Sequence, residues 1–165
     1  MAVPIQVEKP GPSTSEKALE AIAAIGLLGL LAVVAWYWVD LPARVPMHFN
    51  AAGQADRWGS KRELLFLPVI AVVIYLLLSV LGRFPQLYNY PWPITEANAA
   101  EQYRLARRLI MGLKALVPAV FCVITFAVCL GAKGTQILGV WFLVSSLGAV
   151  FGLIGSYFVA AYRAR

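Results

Sequence analysis

Apolar residues are grouped into four long runs along this chain, at residues 19–39, 64–81, 109–130 and 137–162. Each run is close to the roughly 20 residues that a helix needs to cross about 30 Å of hydrocarbon. A helix at the surface of a soluble protein carries a polar face along its length, and these runs have almost none. The pattern predicts an all-α integral membrane protein, a bundle of four transmembrane helices.

The composition agrees with this prediction. Of the 165 residues, 61% are hydrophobic and 13% are charged, whereas a soluble domain is about half apolar and about a quarter charged. We expect a single transmembrane domain at residues 16–165, preceded by a disordered tail at residues 1–15 that is rich in Pro, Ser and Gly. Ser13 and Glu16 have the spacing of a capping box, which would start the first helix.

The basic residues predict an orientation. With four spans, both termini and the connection between the second and third runs share one side of the membrane. That side carries eight of the Lys and Arg residues and the other side carries five. Because cytoplasmic loops are enriched in Lys and Arg, both termini should be cytoplasmic, and the connection between the first two runs should form an ordered extracytoplasmic loop.

The excess of basic residues indicates a lipid partner. The net charge is +6, and without a nucleic-acid motif it points to anionic lipid at the cytoplasmic face of the bilayer and to no nucleic acid. We expect Arg104, Arg107 and Arg108, just before the third run, to contact lipid headgroups. Lys114 lies inside that run, and its long side chain should reach back to the interface.

A stripe of small residues marks the fourth run. Gly148, Gly152 and Ser156 recur every fourth residue, which lets two membrane helices approach closely. We expect this stripe to pack on the first helix, whose Ala23, Gly26 and Gly29 offer a matching surface. A seam between two copies of the chain is the alternative.

The sequence of the loop at residues 40–63 predicts an ordered structure. Pro46 and its neighbours favour an extended segment in which Val45, Met47 and Phe49 point one way and Pro46 and His48 the other. The residues from Asn50 to Gly53 are typical of a turn, with Gly53 free to adopt a positive φ. Ser60 and Glu63 form a second capping box, which would start the second helix.

This loop carries the pattern Leu-Pro-x-x-Val-Pro-x-His-Phe-Asn-x-x-Gly-x-x-Asp, followed by Gly-Ser-Lys, with Pro46, His48, Asn50, Gly53, Asp56 and Lys61 among its fixed positions. The pattern resembles the signature of a bacterial membrane family called domain of unknown function sixteen-forty-eight. That domain also forms the N-terminal part of Sdp-type immunity proteins, which protect a cell against a secreted toxin of its own making. A second stretch at residues 84–98 also resembles the family, with Asn89, Pro91, Thr95 and Asn98 as its marked positions. The resemblance covers about residues 19–114 and implies a location in the bacterial plasma (inner) membrane.

His48 has two interpretations. It could be a metal or ligand site at the outer surface, completed by Asp40, Asp56 or Glu63. It could instead be structural, with its ring bonded to Asp56 or to the loop backbone. We favour the structural role, because this chain has one His and its two Cys lie on a distant helix.

The sequence gives no support for a catalytic centre or a cofactor. No serine–histidine–acid triad, paired catalytic carboxylates or phosphate-binding loop can be assembled from these residues. We therefore expect a non-enzymatic protein, without cofactor or metal, that recognises a peptide toxin or another membrane protein at the outer surface, in immunity or envelope signalling. The alternatives are a small metal-dependent membrane enzyme that uses the outer loop, and a stabilising subunit of a larger membrane complex.

Thr95 is expected to cap a helix that begins before the third span.

Overall fold

The computed structural model describes residues 11–165. Its four long helices are each long and apolar enough to cross a membrane, which confirms the predicted fold class. A two-stranded hairpin lies between the first and second helices. In chain order the elements are α1 (Thr14–Tyr37), β1 (Arg44–Phe49), β2 (Ala55–Ser60), a 3-10 turn (Lys61–Leu65), α2 (Phe66–Leu81), a short 3-10 turn (Pro85–Leu87), α3 (Ala99–Gly131) and α4 (Val140–Arg163).

Helix α3 is the centre of the structure. It is the longest element, with 33 residues, and it packs against α1, α2 and α4. Its contact with α1 is the most extensive, because small residues bring the two backbones together. A Cβ atom added to Gly26 would lie 3.3 Å from the backbone nitrogen of Ala119, and one added to Gly29 would lie 3.6 Å from Cys122 Sγ. The small residues of α1 therefore pack against α3.

The small stripe of α4 is not used in the same way. A Cβ atom added to Gly148 or Gly152 would meet no atom within 4 Å, and Ser156 is exposed, with its hydroxyl bonded to the carbonyl oxygen of Leu153 in its own helix. The prediction that this stripe packs on the first helix is wrong, since α3 already covers the small residues of α1. The seam between two copies stays a prediction.

The helix starts follow local sequence signals. Both predicted capping boxes are present: Ser13 and Glu16 begin α1, and Ser60 and Glu63 begin the 3-10 turn that leads into α2. Thr95 does not cap a helix directly. The Thr95 hydroxyl accepts from the backbone N–H of Asn98, and α3 begins one residue later, with Asn98 at the N-cap position. The helix does extend well before the predicted third span, as expected.

The predicted disordered tail overlaps the described residues only at its end. Residues 11–13 carry no regular secondary structure, and Thr14 and Ser15 already belong to α1. Residues 1–10 of that tail lie outside the described part of the chain.

Candidate functional site

The hairpin lies at one end of the helices, here called the hairpin end. The start of α1 and the end of α4 lie at the opposite end, called the terminal end. Strands β1 and β2 are antiparallel and joined by a tight turn. The side-chain oxygen of Asn50 accepts hydrogen bonds of 3.0 Å from the backbone N–H groups of Ala52 and Gln54. Gly53 has a φ of 79°. These features confirm the predicted turn and the predicted conformation of Gly53.

One side of the hairpin is built into the core of the protein. Val45 of β1 is fully buried in a cluster that also contains Leu41, Leu64, Val128 and Cys129. The hairpin is therefore held against both the start of the second span and the end of α3. This arrangement agrees with the expectation that the loop is ordered.

Pro46 departs from the predicted alternation. It is buried together with Val45, whereas we expected these two side chains to point in opposite directions. Its ring lies against Gly131, where an added Cβ would come within 3.2 Å of Pro46 Cγ. The strand register shifts between Pro46 and His48 and again between His48 and Phe49. Such irregularities break the simple two-residue period, so Val45 and Pro46 can both be buried.

The turn of the hairpin rests on the connection between α3 and α4. A Cβ atom added to Gly53 would overlap the carbonyl oxygen of Leu138. Gly53 is buried, so the absence of a side chain lets the two backbones touch. Two features therefore favour glycine at position 53, its positive φ and its close contact with the backbone of Leu138.

Lys61 closes the base of the loop. Its Nζ donates hydrogen bonds of 3.3 Å to the carbonyl oxygens of Trp38 and Leu41, just after α1. A lysine is favourable there, because the carbonyl end of a helix carries partial negative charge. The Nζ also lies 5.1 Å from the centroid of the Trp38 ring. Lys61 therefore ties the end of the hairpin to the end of the first helix.

His48 and Asp56 pair across the hairpin. His48 Nδ1 and Asp56 Oδ1 lie 2.6 Å apart, and the two side chains are 63% and 45% exposed. The bond to Asp56 is the one that the structural interpretation expected, although the pair lies on the surface. Within residues 11–165 no three His, Cys, Asp or Glu side chains gather in a way that could hold a metal ion. Asp40 lies near Lys133, and Glu63 is engaged in its capping box.

A groove lies between the exposed side of the hairpin and the end of α3. Its volume is about 340 Å³. Phe49 and Trp58 contribute aromatic walls, and Gly131 and Gly134 leave the opposite side without bulky side chains. Trp58 is 44% exposed. This is a surface on which an aromatic or aliphatic side chain of another molecule could lie.

The second motif stretch is an ordered connection at the terminal end. Thr95 and Asn98 bond reciprocally, since the Thr95 N–H also donates to Asn98 Oδ1 at 2.9 Å. Asn98 Nδ2 donates to the carbonyl oxygen of Pro93 at 3.1 Å. Asn89 and Pro91 are exposed. The stretch is held by aromatic contacts: Tyr90 lies against Tyr103, and Trp92 lies against Phe158 and Tyr162. Burial raises the pKa of Tyr90.

The three arginines expected at lipid headgroups contact protein groups. Arg104 pairs with Glu101, and Arg108 donates to the hydroxyl of Ser15. Arg107 donates to both oxygens of Glu16, at 2.8 and 2.6 Å, and the Glu16 side chain is 2% exposed. Arg107 therefore joins α3 to the start of α1. Contact of these arginines with lipid stays a prediction.

Sequence reasoning missed a second ion pair at this end. Lys114 Nζ lies 2.7 and 2.6 Å from the two carboxylate oxygens of Glu20, and the Lys114 side chain is 2% exposed. The Tyr75 hydroxyl of α2 donates to the same carboxylate at 2.7 Å. The Lys114 ammonium is therefore buried against α1, and its expected position at the membrane interface stays a prediction. Glu20 and Lys114 are the two charged residues within the four predicted spans. Because a charge within a span requires a partner, this count was the signal that could have indicated the pair.

Comparisons with known proteins agree with part of the predicted resemblance. Residues 25–72 match the model of a family described as a domain of unknown function (DUF1648). That stretch contains the second half of α1, the whole hairpin and the beginning of α2. An uncharacterized protein of Archaeoglobus fulgidus is 38% identical over an 81-residue alignment that covers 44% of this chain and 42% of that protein. This chain thus covers less than half of the relative's length. No solved structure matches this chain closely enough to indicate a relationship.

The matched stretch is shorter than the resemblance that the sequence predicts, which extends from residue 19 to residue 114. It contains every marked position of the hairpin motif, from Pro46 to Lys61. The relationship to Sdp-type immunity proteins stays a prediction, and so does the assignment to bacteria, since the relative is archaeal.

Proposed function

We propose that this protein is a non-enzymatic membrane protein that recognises a peptide or another membrane protein at the outer membrane surface, in immunity or envelope signalling. The hairpin is the recognition element. The orientation follows from the distribution of Lys and Arg, which favours cytoplasmic termini and an outer hairpin. The membrane is the bacterial plasma membrane, as the family resemblance implies.

The observation that carries the proposal is the docking of the hairpin. Its inner side is fixed by the core cluster around Val45, and its turn rests on the backbone of Leu138. A surface that is held in one shape loses little conformational freedom when a partner binds. The outer side of this fixed hairpin presents Trp58 beside a groove, and aromatic residues are enriched among those that dominate binding energy.

The charged residues at the hairpin end give a preference for the partner. The loop at residues 40–63 contains four basic and three acidic residues, and Lys133 lies nearby on the α3–α4 connection. Arg57 is exposed, lies opposite His48 in the strand register and approaches Glu63 at 3.9 Å. Complementary charge guides association and suppresses wrong partners. An apolar side chain flanked by acidic residues fits this surface best.

The test is purification in gentle detergent with mass spectrometry of what remains bound. The decisive variant is Trp58→Ala, and Trp141→Ala is the matched control, because Trp141 is an exposed tryptophan that does not line the groove. We expect a stoichiometric partner with wild type and with Trp141→Ala. That partner should be lost from Trp58→Ala, with an unchanged melting temperature.

Other results would favour another function. The same partner at the same stoichiometry in all three preparations would exclude the groove as the recognition surface and favour a stabilising subunit of a larger complex. A copurified metal ion at unit stoichiometry, lost in His48→Ala, would favour the metal-dependent enzyme.

A further inference from the structure

An apolar groove lies between α1 and α2, in the halves of these helices that are nearest the hairpin end. Its volume is about 620 Å³, within the usual range of about 300–1,000 Å³ for small-molecule sites. Every side chain that lines it is apolar, apart from the indole N–H of Trp38. It shares no lining residue with the groove beside the hairpin, so it is independent of the proposed recognition function.

This α1–α2 groove has nearly the length of one bilayer leaflet. On α2 it runs from Leu65 to Val73, which is about 12 Å by the rise of an α-helix, and half of the hydrocarbon thickness is about 15 Å. Just beyond Val73 the two helices are tied together, because the Tyr75 hydroxyl donates to Glu20 of α1 at 2.7 Å. An occupant of the groove therefore lies within one leaflet instead of crossing the membrane.

The lining residues favour an acyl chain over a helix of another protein. Helices that pack against each other in membranes use small residues, which let the two backbones approach closely. Among the described residues, those that line the α1–α2 groove include one alanine and no glycine or serine, and five of the ten are valines. The branched side chains would hold a second helix away from both backbones, whereas a flexible hydrocarbon chain follows such a surface.

Lys61 lies where the α1–α2 groove opens at the hairpin end. Its Nζ is 5.1 Å from the centroid of the Trp38 ring, which lines the groove, and it donates to the carbonyl oxygens of Trp38 and Leu41. Tryptophan is enriched at the boundary between headgroups and hydrocarbon, so the Lys61 ammonium lies at the level of lipid phosphates. Its contacts within the described part of the chain are with uncharged groups, and an ammonium has three N–H donors. One donor and the positive charge are therefore left for an anion.

We propose that the α1–α2 groove binds one acyl chain of an anionic phospholipid, whose phosphate accepts a hydrogen bond from Lys61. The groove supplies the apolar contact, and Lys61 supplies the preference for a negatively charged headgroup. A zwitterionic headgroup brings its own cation, which weakens the attraction to Lys61. The binding does not depend on which side of the membrane the hairpin lies.

The experiment uses the full chain, purified in an uncharged detergent until no native lipid remains bound. Phosphatidylglycerol is the probe, and phosphatidylcholine with the same acyl chains is the zwitterionic reference. Native mass spectrometry counts the bound lipid molecules during a titration and gives the apparent affinity for each lipid.

Two substitutions test the two parts of the site. Ala35→Phe fills the groove, and Ala32→Phe is its matched control, because Ala32 is an exposed alanine of the same helix that does not line the groove. Lys61→Gln removes the charge. Lys133→Gln is its matched control, because Lys133 is an exposed lysine at the hairpin end that does not line the groove.

We expect wild type to bind one phosphatidylglycerol more tightly than phosphatidylcholine. Ala35→Phe should abolish this binding, and Ala32→Phe should leave it unchanged. Lys61→Gln should weaken the binding of phosphatidylglycerol about fivefold, as expected for one basic residue near an anionic lipid, while Lys133→Gln should leave it unchanged. If Lys61→Gln does not fold, the comparison of the two lipids on wild type tests the role of the charge.

Four results would overturn the proposal. They are equal binding by Ala35→Phe and wild type, equal affinity of wild type for the two lipids, unchanged affinity in a folded Lys61→Gln, and a second copy of the chain in place of lipid. The last would appear as a wild-type dimer that binds no phosphatidylglycerol and that Ala35→Phe converts to a monomer.

Discussion

The substitution Gly53→Ala tests how firmly the hairpin turn is fixed to the helices. Gly53 has a positive φ of 79°, and the position of an added Cβ overlaps the carbonyl oxygen of Leu138. An alanine would therefore be strained in two independent ways. The backbone would have to leave the left-handed region, or the turn would have to move away from the α3–α4 connection.

The expected loss of stability follows from these two terms. A left-handed conformation costs a residue with a Cβ about 1–2 kcal/mol, and overpacking against a fixed neighbour costs about 1–3 kcal/mol. Alanine also restricts the unfolded chain, which recovers about 0.4–1 kcal/mol. The net loss should be about 1–5 kcal/mol, with the structural change confined to the hairpin end.

Gly134→Ala is the control for the first term alone. Gly134 also has a positive φ, 86°, but an added Cβ there meets no atom within 4 Å. Thermal melting in detergent should give a larger loss for Gly53→Ala than for Gly134→Ala, and hydrogen exchange should show faster exchange in β1 and β2 for Gly53→Ala only. Equal losses would show that contact with Leu138 does not hold the turn, and the argument for a fixed hairpin would fail.

Three further predictions test individual contacts by thermal or chemical unfolding. His48→Ala should lower the free energy of unfolding by less than about 1 kcal/mol, because its pair with Asp56 is exposed; a larger loss would show a structural role that this geometry does not explain. Glu20→Ala should lower the free energy of unfolding by about 3–5 kcal/mol, since it leaves the ammonium of Lys114 buried without its carboxylate. The double variant Glu20→Gln/Lys114→Met should recover most of that loss. Failure to recover it would contradict the pairing. Gly26→Leu should lower the free energy of unfolding by about 1–3 kcal/mol, because it forces α1 away from α3. Gly152→Leu should leave the melting temperature unchanged. Equal effects of the two substitutions would mean that Gly152 is packed within the chain.

Local signals in the sequence predicted the parts of the fold that depend on neighbouring residues. The apolar runs predicted the four spans, because the length of a spanning helix is set by the bilayer. The two capping boxes predicted where α1 and the turn before α2 begin, because their partners are three residues apart. Gly53 was recognised as a turn residue for the same reason.

Features that depend on distant residues could not be predicted in this way. Pro46 is buried because it meets Gly131, far away in the chain, and the sequence near Pro46 contains no sign of that contact. The sequence does not predict the second strand, since β2 has mostly exposed residues and no apolar alternation. The small stripe of α4 predicts that this helix is the partner of the α1 glycines. In the structure the space beside Gly26 is filled by Pro118 and Ala119.

The Glu20–Lys114 pair lies between these two cases. The residues are 94 positions apart, so no local pattern joins them. A charge within a membrane span nevertheless requires a partner, and each of the two was the available partner for the other within the predicted spans. A count of charged residues in the four spans would have predicted the pair.

The most direct test of the proposed recognition function is the side of the membrane on which the hairpin lies. In a chain with Cys122 and Cys129 replaced by alanine, Ala52→Cys places a thiol on the exposed turn of the hairpin, and Ala97→Cys places one on the exposed connection at the terminal end. A membrane-impermeant thiol reagent should label Ala52→Cys in intact cells and label Ala97→Cys after the cells are broken. Labelling of Ala97→Cys but not Ala52→Cys in intact cells would place the hairpin in the cytoplasm and contradict recognition at the outer surface.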